Sequence, residues 1–221
     1  GSLYWQLNDC WPVASWSGID YYGKWKALHY TVKDVFSNFL ISHEIKNDSL
    51  EIYVVSDSLI DINAKLQIDL IDFKGNKINS WDKEILVNAN SVSLKMKIAS
   101  NDYLNHTISE STLLYLTLRD FDNQILANNK IFFKSYKDLN LPNPKIKYSI
   151  TEKQNHFEVI IETEKFAKNV FLVTNSSNNF TDNFFDMMPN SKKRVKIKKE
   201  PNLDLKLFKK DFKIITLDQT Y

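Results

Sequence analysis

The sequence predicts a mainly β protein, in which two β-sandwich domains follow a short strand–loop–helix unit. From about residue 39 onward, apolar residues recur at every second position in short runs, which is typical of half-buried strands. Before that point they recur at steps of three and four, which is helical spacing. Two prolines, Pro142 and Pro144, then divide the β part, because neither fits inside a regular strand or helix.

The strand–loop–helix unit comes first. Leu3, Trp5 and Leu7 alternate with polar or amphipathic neighbours, which predicts a short strand over residues 3–8. A loop broken by Pro12 and closed by Gly23 follows this strand. Helical spacing then runs from residue 25 to residue 39, so a helix is expected there. Because a single strand leaves both of its edges unpaired, we expect the sandwiches to fold without residues 1–30, which should fold poorly by themselves.

Seven β-type runs follow within about 100 residues, and Lys74-Gly75-Asn76 supplies a turn after the third. This number and spacing predict an immunoglobulin-like sandwich. The runs are Phe39 to Lys46, Leu50 to Val54, Ile62 to Leu70, Ile78 to Val87, Val92 to Ile98, Leu114 to Leu118 and Ile125 to Phe133.

A second, smaller immunoglobulin-like sandwich is predicted beyond the linker at residues 139–144. Its expected strands are Ile146 to Ile150, Phe157 to Thr163, Val170 to Thr174, Val195 to Lys199, Leu203 to Leu207 and Phe212 to Leu217. The predicted domains are therefore residues 1–38 for the strand–loop–helix unit, 39–138 for the first sandwich and 145–221 for the second.

Composition excludes several classes of function. The net charge of the 221 residues is only +2, so we expect no nucleic-acid partner. Cys10 is the single cysteine, which rules out an internal disulfide and gives little support for metal or thiol chemistry. No apolar run approaches the roughly 20 residues of a membrane helix, so no membrane partner is expected. The basic run at residues 192–199 is interpreted as a solvated hairpin face, with contact to a polyanion or protein partner as the alternative.

Residues 3–30, named here the aromatic segment, hold four of the five tryptophans, namely Trp5, Trp11, Trp16 and Trp25. Short polar side chains such as those of Asn8 and Asp9 stand between the rings. Aromatic rings stack on the C–H faces of a pyranose, while amides and carboxylates bind its hydroxyl groups. The composition of the segment therefore predicts a sugar site.

Two motifs carry a family resemblance. The aromatic segment, with Trp5-Gln6-Leu7-Asn8-Asp9, Trp11-Pro12, Ser15-Trp16, residues 20–26 and Leu28-His29-Tyr30, resembles the β-mannosidases of glycoside hydrolase family 2. Far downstream, residues 180–189 (FTDNFFDMMP) resemble a signature in the last β-sandwich domain of the same enzymes. The resemblance implies that the aromatic segment is a remnant of a (β/α)8 barrel, namely the end of the catalytic barrel.

The resemblance implies that Trp5 forms a wall of the subsite for the scissile sugar, whereas packing within the barrel is its ordinary alternative. It leaves Asn8 and Asp9 open between contacts to sugar hydroxyls and ordering of the active-site loop. Trp11 and Trp16 are expected to pack within the loop, with sugar contact as the alternative. His29 is expected to be a satisfied core or interface residue. Residues 180–188 are interpreted as a loop that packs one domain on another, with contact to a glycan as the alternative.

The two catalytic glutamates of this family lie on earlier barrel strands, so this chain should be the C-terminal part of a retaining exo-β-mannosidase and inactive alone. Its expected partners are a mannose-containing oligosaccharide and the rest of the parent enzyme, with no cofactor. The resemblance would suit a periplasmic or secreted bacterial enzyme or a lysosomal eukaryotic one. The alternatives are a related β-glucosaminidase, β-galactosidase or β-glucuronidase, or a free-standing carbohydrate-binding or adhesion module.

Overall fold

The chain divides into two compact units in a computed structural model that describes residues 3–220. One unit is Phe36–Asn140. The other unit combines the residues up to Val35 with those from Leu141 onward. The aromatic segment therefore belongs to the same unit as the second sandwich. Its one helix, α1 (Ala27–Val35), is shorter than the helical spacing predicted.

The unit Phe36–Asn140 is the predicted seven-stranded sandwich. One antiparallel sheet has the strand order β1-β2-β5 and the other has the order β4-β3-β6-β7. A short helix, α2 (Ser100–Leu104), follows the fifth strand. The strands are β1 (Phe39–Lys46), β2 (Ser49–Ser56), β3 (Ile62–Asp72), β4 (Lys77–Val87), β5 (Ser91–Ala99), β6 (Thr112–Asp120) and β7 (Ile125–Phe132).

The sequence pattern of β3 explains its place at the centre of this sandwich. Ala64, Leu66, Ile68 and Leu70 are fully buried in one hydrophobic cluster with residues of the facing sheet. The predicted turn follows the strand, where the Asp72 carboxylate accepts hydrogen bonds from the backbone N–H groups of residues 74 and 76. Each buried aliphatic side chain contributes about 1.5–3 kcal/mol relative to an exposed one, so this unit has a core of its own.

The second sandwich packs two three-stranded antiparallel sheets, of order β12-β9-β8 and β11-β10-β13, around a second hydrophobic cluster. The mainly β, immunoglobulin-like fold class that the sequence predicts is confirmed. The elements are β8 (Lys147–Glu152), β9 (His156–Glu162), β10 (Ala167–Val173), β11 (Phe185–Met187), β12 (Lys192–Lys198), α3 (Leu205–Asp211) and β13 (Lys213–Ile215).

The predicted strand at residues 203–207 is wrong, because this region begins helix α3. The Asp204 side chain caps the helix by accepting a hydrogen bond from the Leu207 N–H, at 2.8 Å. The helix directs Phe208 into the core, where its ring stacks on that of Phe157 with centroids 4.4 Å apart. Alternating leucines over only five residues fit either element, and the cap together with Phe208 favours the helix.

Residues 180–188 are more ordered than a loop. Phe180 and Met187 are buried in the core of the second sandwich, and β11 pairs with β10. A largely buried ion pair between Lys168 of β10 and Asp186 of β11, at 3.0 Å, joins the two strands. The sequence missed β11 because three residues are too few for a periodic signal.

The basic run forms β12, at the edge of its sheet. Lys192 and Arg194 pair with Glu162 and Glu158 on the neighbouring strand, at 2.6 and 3.6 Å. Charged side chains on an edge strand oppose pairing with other chains, which fits the predicted solvated hairpin face. No helix in residues 3–220 is long and apolar enough to span a membrane.

Candidate functional site

The backbone of the aromatic segment folds into three short stretches joined by hydrogen bonds. The first two stretches are linked from Gly18 N–H to Gln6 O (3.1 Å) and from Ile19 N–H to Leu7 O (2.9 Å). The second and third are linked from Lys26 N–H to Gly18 O, at 2.9 Å. In residues 3–8 only Asn8 makes a β-bridge, to Ile19, so the strand predicted there is wrong in extent. A regular strand needs a continuous partner, and alternation alone does not supply one.

Asp9 lies at the centre of a polar cluster that closes the loop. Its carboxylate accepts hydrogen bonds from the hydroxyls of Ser15 and Ser17, the latter at 2.8 Å. The Lys26 ammonium donates to the same carboxylate at 3.0 Å and to the Ser17 hydroxyl at 2.7 Å. With only 4% of Asp9 exposed, the structure places this residue in loop ordering, and a direct sugar contact stays a prediction.

These contacts lower the pKa of Asp9 to about 2, chiefly through the hydrogen bond from Ser15, with Lys26 and Ser17 adding to it against the cost of burial. Since the ionised form is favoured in the folded state, Asp9 stabilises the loop at pH values above about 4. That contribution is lost as the pH falls from about 4 to about 2.

We expect Asp9→Asn to remove this acid transition, because asparagine carries no titrating group. Near-ultraviolet circular dichroism of the tryptophans between pH 6 and pH 2 measures it in the 221-residue chain. Ser15→Ala is the matched variant and should move the transition to higher pH, since it removes the largest cause of the lowered pKa. An unchanged transition in Asp9→Asn would show that another carboxylate controls the loop.

Trp5 and Asn8, the other predicted substrate contacts, are both exposed. Trp5 is 76% exposed, and the Asn8 amide donates to the neighbouring Asp9 carbonyl at 3.2 Å. Their contact with a sugar stays a prediction, although their side chains are accessible for one. Trp11 and Trp16 were expected to pack within the loop, and this is wrong because both rings are largely exposed.

His29 also differs from its prediction. Its ring meets that of Trp25 edge-on, with centroids 4.6 Å apart. However, its Nδ1 atom is buried and has no hydrogen-bond partner within the described part of the chain. His29 is therefore a packing residue whose Nδ1 is not satisfied. In residues 3–220 no group of three or more His, Cys, Asp or Glu side chains is arranged to hold a metal ion.

The aromatic segment and α1 are anchored to the second sandwich by residues 179–181. The Asn179 carboxamide accepts from Trp25 N–H and donates to Gly23 O, both at 2.9 Å. The Tyr30 hydroxyl donates to the Phe180 carbonyl at 3.1 Å, and the Lys33 ammonium donates to the Thr181 carbonyl at 2.7 Å. The motif at 180–189 had pointed to domain packing, but nothing in the sequence indicated that Asn179 binds the backbone at residues 23 and 25.

Two family models match the chain. A mannosidase Ig/CBM-like domain matches residues 48–138, and the Ig-fold domain of mannosidases matches residues 141–220. Among curated proteins, the chain is 30% identical over 179 residues to β-mannosidase A of Emericella nidulans, which covers 78% of this chain. It is 28% identical over 216 residues to β-mannosidase A of Aspergillus flavus, which covers 88% of this chain. It spans only 17% and 23% of the length of these relatives.

Two solved structures are similar to this chain along nearly its whole length. The β-D-mannosidase of Dictyoglomus thermophilum superposes with a TM-score of 0.81 and 29% identity, over 96% of this chain and 26% of that one. An exo-chitosanase from Amycolatopsis orientalis superposes with a TM-score of 0.69, over 97% of this chain and 29% of the exo-chitosanase chain. At 13% identity this second likeness shows a shared fold alone.

Proposed function

We propose that this chain completes and braces the catalytic barrel of a retaining exo-β-mannosidase. The premise is that the chain belongs to the β-mannosidases of glycoside hydrolase family 2, as their C-terminal part. In this role it supplies part of the substrate-binding wall and no catalytic carboxylate. The substrate class is an oligosaccharide with a terminal β-mannose.

The observation that carries the proposal is the combination of exposed rings and an anchored backbone in one segment. Trp5, Trp11, Trp16 and Tyr22 present large exposed rings. The backbone of the same segment is held to the second sandwich by Asn179 and, through α1, by Tyr30. Large exposed rings concentrated in one short segment favour a site of protein or ligand contact, because soluble proteins rarely expose much apolar surface without a partner. The remaining barrel strands and the substrate are the contacts that the proposal assigns to this surface.

In the mechanism that follows, the chemistry belongs to two glutamates on the preceding part of the barrel. One protonates the leaving oxygen and the other forms a covalent glycosyl intermediate, and in retaining enzymes the two carboxyl groups lie about 5–5.5 Å apart. This chain contributes the Trp5 ring as a stacking surface for the sugar and Asn8 as a hydrogen-bonding group near it. The Asp9–Lys26 cluster keeps the loop that carries them in one conformation.

We expect the purified 221-residue chain to release no chromophore from a p-nitrophenyl β-D-mannoside, since both catalytic carboxylates are supplied by another part of the parent enzyme. The intact parent enzyme, assayed beside it, should hydrolyse the same substrate. Turnover by the isolated chain that survives repurification and disappears on mutating one of its own carboxylates would contradict the proposal.

A panel of substrates separates the alternatives. The parent enzyme should prefer the β-mannoside to the matching β-glucosaminide, β-galactoside and β-glucuronide, and a reversed preference would assign it to another activity of family 2. If the parent gene encodes no barrel, a free-standing carbohydrate-binding module becomes the better interpretation. Binding of the 221-residue chain to immobilised mannan would then test that module.

A further inference from the structure

We propose that Asn179, on the second sandwich, is a positioning residue that sets the place of Trp5 and Asn8 relative to the substrate. The proposal rests on the proposed function and adds a residue on a non-catalytic domain to the machinery of the same site. Asn179 touches neither predicted substrate contact in the structure, so it would act through the backbone of the aromatic segment.

The Asn179 side chain and the backbone of residues 23–25 form a contact named here the clamp. One side-chain amide satisfies an acceptor and a donor of the backbone on either side of Lys24, through Gly23 O and Trp25 N–H. Two hydrogen bonds from a single planar group fix both the position and the orientation of that backbone. Gly23 has a φ of +82°, a conformation that residues with a side chain adopt only with strain, so the turn beside the clamp requires glycine.

Backbone pairing connects the clamp to the predicted substrate contacts. Residue 25 pairs with Ile19 in an antiparallel bridge, and Ile19 pairs with Asn8 in a parallel bridge. Asp20 N–H donates to Lys24 O at 2.9 Å, and Asp9 N–H donates to Ile19 O at 3.0 Å. A continuous series of backbone hydrogen bonds therefore joins the clamped residues 23–25 to residues 8 and 9, which lie three and four residues beyond Trp5.

Loss of the clamp is expected to shift Trp5 and Asn8 and so to slow the reaction. Displacing a group that positions substrate by about 1 Å costs up to about 100-fold in rate, even when the altered residue lies far from the reacting atoms. We therefore expect Asn179→Ala to lower kcat/KM of the intact enzyme by about 10- to 100-fold, with most of the loss in kcat. Asn179→Asp keeps the acceptor for Trp25 N–H but faces the Gly23 carbonyl with a carboxylate, so it should also lower kcat/KM.

The chain offers a matched control at the neighbouring position. The Asn178 side chain donates to Lys198 O, at 3.1 Å, within the second sandwich. Asn178→Ala therefore removes a hydrogen bond from the same loop and leaves the clamp in place. It should leave kcat/KM within about 2-fold of the wild-type value, as expected of a residue outside the site.

A double-mutant cycle distinguishes positioning from general loss of structure. If Asn179 acts through Trp5, the rate loss in the double variant Asn179→Ala/Trp5→Ala should be smaller than the product of the two single losses. The proposal would be overturned if the loss of kcat/KM in the double variant equals the product of the two single losses. Equal losses in Asn178→Ala and Asn179→Ala would also overturn it.

Hydrogen exchange of the 221-residue chain gives a readout that does not depend on activity. Asn179→Ala should speed exchange at the amides of residues 18–26, and Asn178→Ala should not. Unchanged exchange in Asn179→Ala would overturn the clamp even if the parent enzyme is a β-mannosidase. If the parent enzyme cleaves no β-mannoside, the proposed function fails, and exchange alone then decides whether Asn179 orders the segment.

Discussion

Replacing Tyr30 by alanine is expected to lower the free energy of unfolding of the second sandwich by about 3–5 kcal/mol, the usual cost of truncating a buried aromatic residue. Tyr30 is 3% exposed, and its ring contacts those of Trp25 and Phe184, with centroids 5.4 and 6.0 Å away. Its hydroxyl donates to Phe180 O. For a domain of this size the loss corresponds to a fall in Tm of about 12 °C or more, measured by calorimetry.

Three further variants sharpen this experiment. Tyr30→Phe should cost about 1–3 kcal/mol, because it leaves the Phe180 carbonyl without its partner. Leu28→Ala, on the same helix but exposed, should stay within about 0.5 kcal/mol of the wild type. Removing residues 1–35 should destabilise the second sandwich at least as much as Tyr30→Ala and leave the unit Phe36–Asn140 unchanged.

This expectation replaces the one drawn from the sequence, by which the sandwiches fold equally well without residues 1–30. The physical reason is that the aromatic residue at the middle of α1 is buried against the second sandwich. A Tm of Tyr30→Ala equal to that of the wild type would show that α1 contributes nothing to that sandwich.

Trp5→Ala is expected to lower kcat/KM of the intact enzyme by about 5- to 150-fold and to leave its Tm nearly unchanged. An aromatic stacking platform contributes about 1–3 kcal/mol per ring on the scale measured for stacked bases, and transition-state arithmetic converts this to the stated range. The ring is largely exposed in this chain, so its removal leaves no cavity here.

Trp25→Ala is the natural comparison, because Trp25 packs on His29 and Tyr30. It should lower the Tm markedly, since a partly buried tryptophan loses packing on truncation. The two tryptophans therefore separate in one melting curve and one rate measurement. A Trp5→Ala enzyme with normal kcat/KM and a Tm many degrees lower would assign Trp5 to barrel packing and remove it from the subsite.

The sequence by itself determined the number and positions of the strands in the first sandwich, but neither their order in the two sheets nor helix α2. All seven of its predicted strands are present, and the alternation in β3 places Ala64, Leu66, Ile68 and Leu70 in the core. This succeeded because successive side chains of a strand point to opposite faces of the sheet, so burial of one face requires apolar residues at every second position. The same pattern misled at Leu203–Leu207, where a capping aspartate and a buried phenylalanine outweigh five alternating residues.

The sequence also predicted that the aromatic segment is the functional part of the chain, and this stays a prediction. Its two motifs pointed to the same family as the sequence and structural relatives. It did not determine how Asp9 is used, because an acidic residue after a strand fits a sugar contact and a loop cluster equally well. Only the structure brings Ser15, Ser17 and Lys26 around that carboxylate.

The tertiary structure alone decided which domain holds the aromatic segment. Asn179 and Tyr30 are about 150 residues apart from the groups they bind, at Gly23 and Phe180. Contacts across such a separation depend on how two surfaces meet, and neither periodicity nor residue type records that. Tyr30 in α1 and Asn179 in the second sandwich form one anchor only in the folded unit, where the aromatic segment and α1 contact residues 179 and 180.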